Sequence, residues 1–146
     1  MMVIGNILHS KGSEVIAVGP RDSAIDIART LSRHRIGAVL VRDEAGEIMG
    51  IVSERDIVRC MAASAETVAQ QSATDLMTKV LHTVTPRTLI VEALAMMTDR
   101  RVRHLPVLDG EKRLVGMVSI GDLVKARIAE AELEATELRN YVSTAG

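Results

Sequence analysis

Gly50-Ile51-Val52-Ser53-Glu54-Arg55-Asp56 recurs 66 residues later as Gly116-Met117-Val118-Ser119-Ile120-Gly121-Asp122. Each copy reads Gly-apolar-apolar-Ser-x-x-Asp. Working outward from it, Val15–Arg59 aligns with Leu81–Lys125 without a gap, and 11 of the 45 pairs are identical. The identities include Pro20/Pro86, Arg35/Arg101, Val41/Val107, Asp43/Asp109, Gly50/Gly116, Ser53/Ser119 and Asp56/Asp122. Two copies of one unit, in a chain of 146 residues, predict a pseudo-two-fold arrangement rather than a long solenoid, which needs more copies.

Each copy reads as β-α-β-β-α. Short strands are expected at Glu14–Val18 and Leu81–Thr85, halted by Pro20 and Pro86. Helices follow at about Ser23–Arg33 and Leu89–Arg100, with Asp22 or Ser23 and Thr88 as candidate N-caps. Their apolar positions are read as Ile25, Ala28, Leu31 and Val91, Leu94, Met97. Strands Ala38–Arg42 and Glu47–Val52 flank a turn at Asp43–Gly46; Leu105–Leu108 and Leu114–Val118 flank Asp109-Gly110. A last helix starts after Ser53 and after Ser119. Related lead-in segments, Asn6-Ile7-Leu8 and Asp75-Leu76-Met77, precede the copies. The resulting division is 1–62 for the first repeat with its lead-in, 63–73 for a polar linker, 74–128 for the second repeat, and 129–146 for a helical extension. In that extension Val124, Ile128, Ala131, Ala135, Leu138 and Val142 are spaced 4, 3, 4, 3, 4, a heptad seam. The seam either packs on its own domain or is a dimer contact.

Composition narrows the function. The net charge is −1, from 18 Lys+Arg against 19 Asp+Glu, which argues against a general nucleic-acid binder. Tyr141 is the single aromatic residue. No aromatic platform can therefore stack bases, and the core must be aliphatic. Cys60 is alone, so no internal disulfide forms, and His9, His34, His82 and His104 lack metal-ligand spacing. With no apolar run long enough to span a bilayer and no secretory pattern at the N-terminus, a cytoplasmic protein without a membrane partner is expected.

The duplicated Gly-x-x-Ser-x-x-Asp, with Arg103-His104-Leu105-Pro106-Val107 as a middle strand, resembles the cystathionine-beta-synthase (CBS) domain family. The resemblance covers nearly the whole chain. It implies an α+β fold in which two CBS repeats form one Bateman module with an extended C-terminal helix. It also implies adenine-nucleotide binding in clefts between the repeats, a regulatory role, and frequent dimerisation. No catalytic function or catalytic cofactor is expected.

Ser53 with Asp56, and Ser119 with Asp122, admit two readings. Ser-x-x-acid is a helix capping box that needs no ligand. An Asp carboxylate near a helix N-terminus also suits the paired hydroxyls of a ribose. By the resemblance, Ile36, Gly37 and Ala38 in copy one, and Val102, Arg103 and His104 in copy two, would line the base and phosphate. Arg103 and His104, clustered with Arg100 and Arg101, are either phosphate ligands or a basic turn at a helix end. Lys79, and beside it Lys11 and Arg55, are phosphate candidates or solvated charges. Copy one has small Gly37 and Ala38 where copy two is basic, so the two sites are not expected to be equivalent. The expected function is energy sensing through AMP, ADP or ATP, with NAD(H) as a further candidate because it carries the same adenosine half. The signal would pass to a separate, unidentified protein, with the chain as a homodimer. The alternative is a constitutive interaction module with vestigial clefts.

Overall fold

Ser23, in extended geometry three residues after Pro20, accepts the Asp26 amide on its hydroxyl and so starts a helix of eleven residues. The computed structural model describes residues 1–79 and 82–145. Its elements run α1 (Ile4–Lys11), β1 (Ala17–Val18), α2 (Ala24–His34), β2 (Ala38–Arg42), β3 (Ile48–Ser53), α3 (Glu54–Ala63), a 3-10 turn (Val68–Gln70), α4 (Ala73–Leu76), α5 (Ile90–Arg100), β4 (His104–Leu108), β5 (Leu114–Ser119) and α6 (Ile120–Ala145). The class is α+β, as expected.

The chain folds as two compact units. A central unit is Val15–Leu81, and a terminal unit combines Met1–Glu14 with His82–Gly146. In the central unit β1 pairs parallel with β2, and β2 antiparallel with β3. In the terminal unit β4 pairs antiparallel with β5, and Val84 adds a parallel bridge to Val107. The registers match pair for pair. Ala38 faces Ser53 as His104 faces Ser119, and each hairpin shifts register at the same place, after Val41 and after Val107.

The first strands are shorter than expected. Only Ala17–Val18 forms a ladder, and Val84 alone marks the second, whose expected Leu81 lies outside the described residues. The start of α5 also differs. Thr88 does not cap it; its hydroxyl accepts the Thr85 amide, while Leu89 stands at the N-cap and donates its amide to Glu92. The buried helix faces are Ala24, Ile27, Leu31 and Ile90, Ala93, Met97. Ile25, Ala28 and Val91 are exposed, so the expected face was rotated by one residue. Both cores are aliphatic, with Ile27, Val39, Val41 and Val52 in one and Ile90, Leu105, Val107, Val118 and Leu123 in the other.

The lead-in segments are exchanged relative to the repeats they precede. α1 belongs to the terminal unit: Ile4 and Ile7 join its core, and the amides of Ile4 and Gly5 donate to the carbonyls of Thr88 and Pro86. α4, with Leu76 and Met77, completes the central unit, where Thr78 and Ile51 exchange two backbone hydrogen bonds of 2.9 Å. The motif glycines explain the seats. A Cβ on Gly116 would lie 2.6 Å from Leu8 Cδ2, and one on Gly50 would lie 2.7 Å from the Thr78 carbonyl and 2.8 Å from Met77 Sδ. Only glycine leaves room for the lead-in chain to cross the strand at these two points.

The residues expected to be linker are ordered into the central unit. Val68 is buried in its core, and the Gln71 carbonyl accepts the Ala24 amide.

Candidate functional site

In both units the strand-to-helix junction is tied by a capping box. Ser53 accepts the Asp56 amide at 3.2 Å, and Asp56 Oδ2 accepts the Ser53 amide at 2.8 Å. Ser119 accepts the Asp122 amide at 3.1 Å, and Asp122 Oδ2 accepts the Ser119 amide at 2.8 Å. The plainer reading of the motif is therefore realised twice. The start of the middle strand is drawn to the same spot. Glu54 donates its amide to the Gly37 carbonyl at 2.9 Å, and Ile120 to the Arg103 carbonyl at 2.8 Å. Within the central unit, then, Gly37 and Ala38 lie beside Ser53. Within the terminal unit, Arg103 and His104 lie beside Ser119. Ile36 and Val102, half-buried, close the turns before the strands by donating to the Leu31 and Met97 carbonyls.

The two sites differ in what the cap leaves over. In the central unit the Ser53 hydroxyl donates to Asp56 Oδ2 at 2.9 Å, and Arg59 approaches Oδ1 at 3.4 Å. The Asp56 side chain is 8% exposed. In the terminal unit the Asp122 side chain is 25% exposed. Its Oδ2 takes the Ser119 amide and the Lys11 ammonium, the latter at 2.8 Å, and Lys11 also donates to the Met117 carbonyl. The Ser119 side chain also hydrogen-bonds the Asp122 carboxyl, and among the described residues no cation pairs with Asp122 Oδ1 as Arg59 pairs with Oδ1 of Asp56.

Burial pushes the Asp122 pKa up, but the hydrogen bonds from Lys11 and Ser119 and the Lys11 charge outweigh it. The carboxyl is held below its ordinary value of 3.8. The group is anionic at neutral pH and ready to accept.

Lys11 comes from α1, the lead-in of the first repeat, yet it pairs with the motif of the second. A sequence read repeat by repeat gives no signal for that pairing. Lys79 is exposed and follows directly on the Thr78 bridge to β3, in the central unit. Arg100, Arg101 and Arg103 are exposed, and among the described residues none is held in an ion pair. Arg55 is exposed on the first turn of α3. Among the described residues no group of three or more His, Cys, Asp and Glu could hold a metal ion, and no helix is long and apolar enough to cross a membrane.

The fold and its duplicated junction define a tandem pair of β-α-β-β-α repeats, each ending in a Ser-x-x-Asp helix start. The CBS domain profile matches residues 5–63 and 73–129, and the chain belongs to the CBS domain family. It is 33% identical over 147 residues to the mitochondrial CBS domain-containing protein CBSX3 of Arabidopsis thaliana, covering 95% of this chain and 71% of that protein. The crystal structure of the CBS-domain protein ATU1752 from Agrobacterium tumefaciens superposes with a TM-score of 0.83 at 40% identity, covering 86% of this chain and 92% of that one. CBSX2, crystallised in complex with AMP, shares the fold with a TM-score of 0.72 at 22% identity, over 90% of this chain and 99% of that one.

Proposed function

We propose that the chain is a non-catalytic regulatory module that binds an adenosine-containing nucleotide, with the ribose on Ser119 and Asp122 of the terminal unit. The observation that carries this is the unused capacity of that junction. The Asp122 side chain is 25% exposed against 8% for Asp56, and no cation among the described residues pairs with its Oδ1, so the carboxylate can accept from a ribose hydroxyl. The surrounding side chains fit the remaining parts of such a ligand. Val102 offers an aliphatic wall for adenine, and Arg103, with Arg100 and Arg101 nearby, offers charge-assisted hydrogen bonds to phosphate. Lys11 adds a cation at Asp122. That CBSX2 is crystallised with AMP supports the fold's capacity for this ligand. AMP, ADP and ATP are the primary candidates, and NAD(H) presents the same adenosine half.

The equivalent set Ile36, Gly37, Ala38, Ser53, Asp56 and Lys79 is proposed as the weaker site. Its carboxylate is buried and spent on the cap, the serine hydroxyl and Arg59. This favours the interaction-module reading for the central unit alone. A nucleotide that prefers one arrangement of the module shifts its population, and a separate protein partner in the cytoplasm would read that shift.

The test is thermal unfolding with adenosine, AMP, ADP, ATP and NAD(H), together with mass spectrometry of small molecules released on denaturing the purified protein. At a concentration of about 100 Kd the nucleotide adds about 2.7 kcal/mol of stability. Asp122→Asn should remove most of that gain and Asp56→Asn should leave it. Arg103→Ala should weaken AMP and spare adenosine. Because Tyr141 is the sole aromatic residue, a co-purified nucleotide would dominate the near-ultraviolet absorbance. No shift with any of these ligands refutes the proposal, as does equal loss from the two Asp variants.

A further inference from the structure

The outer edge of β3 is bridged in the central unit, and the matching edge of β5 in the terminal unit is not. Met117, opposite Pro106, corresponds to Ile51, opposite Leu40. Leu40 and Pro106 make their hydrogen bonds to Ile16 and Val84 on the far side, so Ile51 and Met117 turn their backbone groups outward. In the central unit Thr78 crosses that edge and exchanges two hydrogen bonds of 2.9 Å with Ile51. Among the described residues the terminal unit has no counterpart of this bridge. There the Met117 carbonyl accepts the Lys11 ammonium at 3.1 Å. An ammonium stands where the Thr78 amide would be, and among the described residues no backbone carbonyl takes the place of Thr78's.

The residue equivalent to Thr78 is present but coiled. Leu8 lies over Gly116 as Met77 lies over Gly50, which makes His9 the match of Thr78. The helix α4 stops at Leu76, and Met77 is already extended at φ −68 and ψ 153. By contrast α1 runs a turn further, to Lys11, and ends at Gly12 with φ +96. That extra turn packs nothing. The buried residues Ile4 and Ile7 precede it, and His9, Ser10 and Lys11 are exposed. It is held by helical hydrogen bonds, by the Gly12 amide on the Leu8 carbonyl at 2.8 Å, and by Lys11 on Met117 and Asp122. So short a helix is marginal by itself, and Ser10, Gly12 and Ser13 add little helix preference.

We propose that residues 9–11 are a strap with two positions. In one, the turn is helical and Lys11 occupies the Asp122 carboxylate, as in this structure. In the other, the turn unwinds, His9 bridges Met117 with the pair of hydrogen bonds that Thr78 makes to Ile51, and Lys11 leaves Asp122. At about 1.5 Å per residue in a helix and about 3.3 Å in a strand, unwinding lengthens the chain leading into the central unit by about 5 Å. A ligand that needs the carboxylate competes with Lys11 and not with His9, so it favours the extended position. The strap rests on the backbone geometry alone; its coupling to nucleotide rests on the reading of Asp122 as the ribose site.

The test is amide hydrogen exchange read by NMR, with Ile51 of the same molecule as the bridged reference. In the parent chain Met117 should be less protected than Ile51. Ser10→Pro removes an amide that the helical turn uses and drives His9 toward extended geometry, while the His9 amide stays in place. It should slow exchange at Met117 by at least about tenfold. It should also move the His9 Cα shift from helical to extended values. Lys11→Gln, which removes the charge that holds the turn, should act in the same direction with a smaller effect. Ser10→Ala, a better helix former, should speed exchange at Met117. AMP added to the parent should slow Met117 and leave Ile51 unchanged. A folded Ser10→Pro chain with Met117 unprotected overturns the strap. Should Ser10→Pro fail to fold, Lys11→Gln decides: unchanged exchange at Met117 with helical shifts at residues 9–11 overturns it. AMP that raises the melting temperature without slowing Met117 overturns the coupling. AMP that does not bind refutes the ribose reading, and the strap is then decided by the two variants alone.

Discussion

Replacing each motif glycine by alanine separates the two units by the kind of atom that stands in the way. In Gly50→Ala the new methyl carbon would lie 2.7 Å from the Thr78 carbonyl oxygen, 2.8 Å from Met77 Sδ and 3.1 Å from Met77 Cγ. The carbonyl is backbone and is fixed by the Ile51 amide at 2.9 Å, so the bridge must open or shift. Overpacking costs about 1–3 kcal/mol, a weakened backbone hydrogen bond about 1 kcal/mol, and the stiffer unfolded chain returns about 0.4–1 kcal/mol. The net is a loss of about 1–3.5 kcal/mol. In Gly116→Ala the obstacles are Leu8 Cδ2 at 2.6 Å, Cδ1 at 3.1 Å and Cγ at 3.4 Å, the far end of a side chain that can turn. An off-rotamer leucine costs about 0.5–1.5 kcal/mol, and the same entropic gain offsets most of it. The expected loss is about 0–1 kcal/mol. Equilibrium unfolding in urea measures both. Leu8→Ala should cost less in the Gly116→Ala background than in the parent, because it removes the clash as well as the packing. Met77→Ala should not restore Gly50→Ala, since the Thr78 carbonyl remains. Equal losses for the two glycines, or a larger loss at Gly116, would refute the reasoning and with it the seating of Leu8 over β5.

Two other expectations follow from single positions. Asp122 is held below its ordinary value of 3.8 in the folded chain. The stability it contributes is therefore full above that value and is lost as pH falls through the lower, folded value. The gap in melting temperature between the parent and Asp122→Asn should be widest near neutrality and should close on acidification below about pH 4; a gap that widens in acid would contradict the Lys11 pairing. Lys112 turns the second hairpin at φ +62, where the first hairpin has Gly46 at φ +84. Lys112→Gly should stabilise the chain by about 0.5 kcal/mol, the left-handed penalty of about 1–2 kcal/mol less the extra entropy of glycine, and a drop in the urea midpoint would count against it.

Local signals were legible in the sequence. The Ser23 cap, strand Ala38–Arg42 at its full length, and the helix starts after Ser53 and Ser119 were all readable there. The chain announces them through hydroxyl caps, runs of Val and Leu, and turn residues. The face of α2 was less readable, because Ile25 attracts more weight than Ala24. Small Ala24 and Ala93 are buried where the helix comes close to its neighbours, and closeness favours size over hydrophobicity. Non-local facts left no trace in either repeat. The partnering of Lys11 with Asp122 spans 111 residues and depends on which unit α1 joins. The inequality of the two junctions was visible as Gly37 and Ala38 against Arg103 and His104. Its sharper form, a buried carboxylate beside Arg59 against a partly exposed one paired with Lys11, lies in the tertiary packing.

Because α1 packs with β5 and α6, the central unit is topologically an insertion within the terminal one. A segment spanning 15–81 carries every piece of its own unit, whereas 82–146 without the first fourteen residues does not. On the ribosome the order is unfavourable for the terminal unit. Ile4 and Ile7 emerge first and wait for Val118, about 5–20 s later at ordinary synthesis rates. During that wait the central unit can fold. Doing so collapses the long intervening chain and lowers the entropic cost of bringing the two ends of the terminal unit together. Gene duplication copied one stretch twice, but the stretch that was copied is not the stretch that folds.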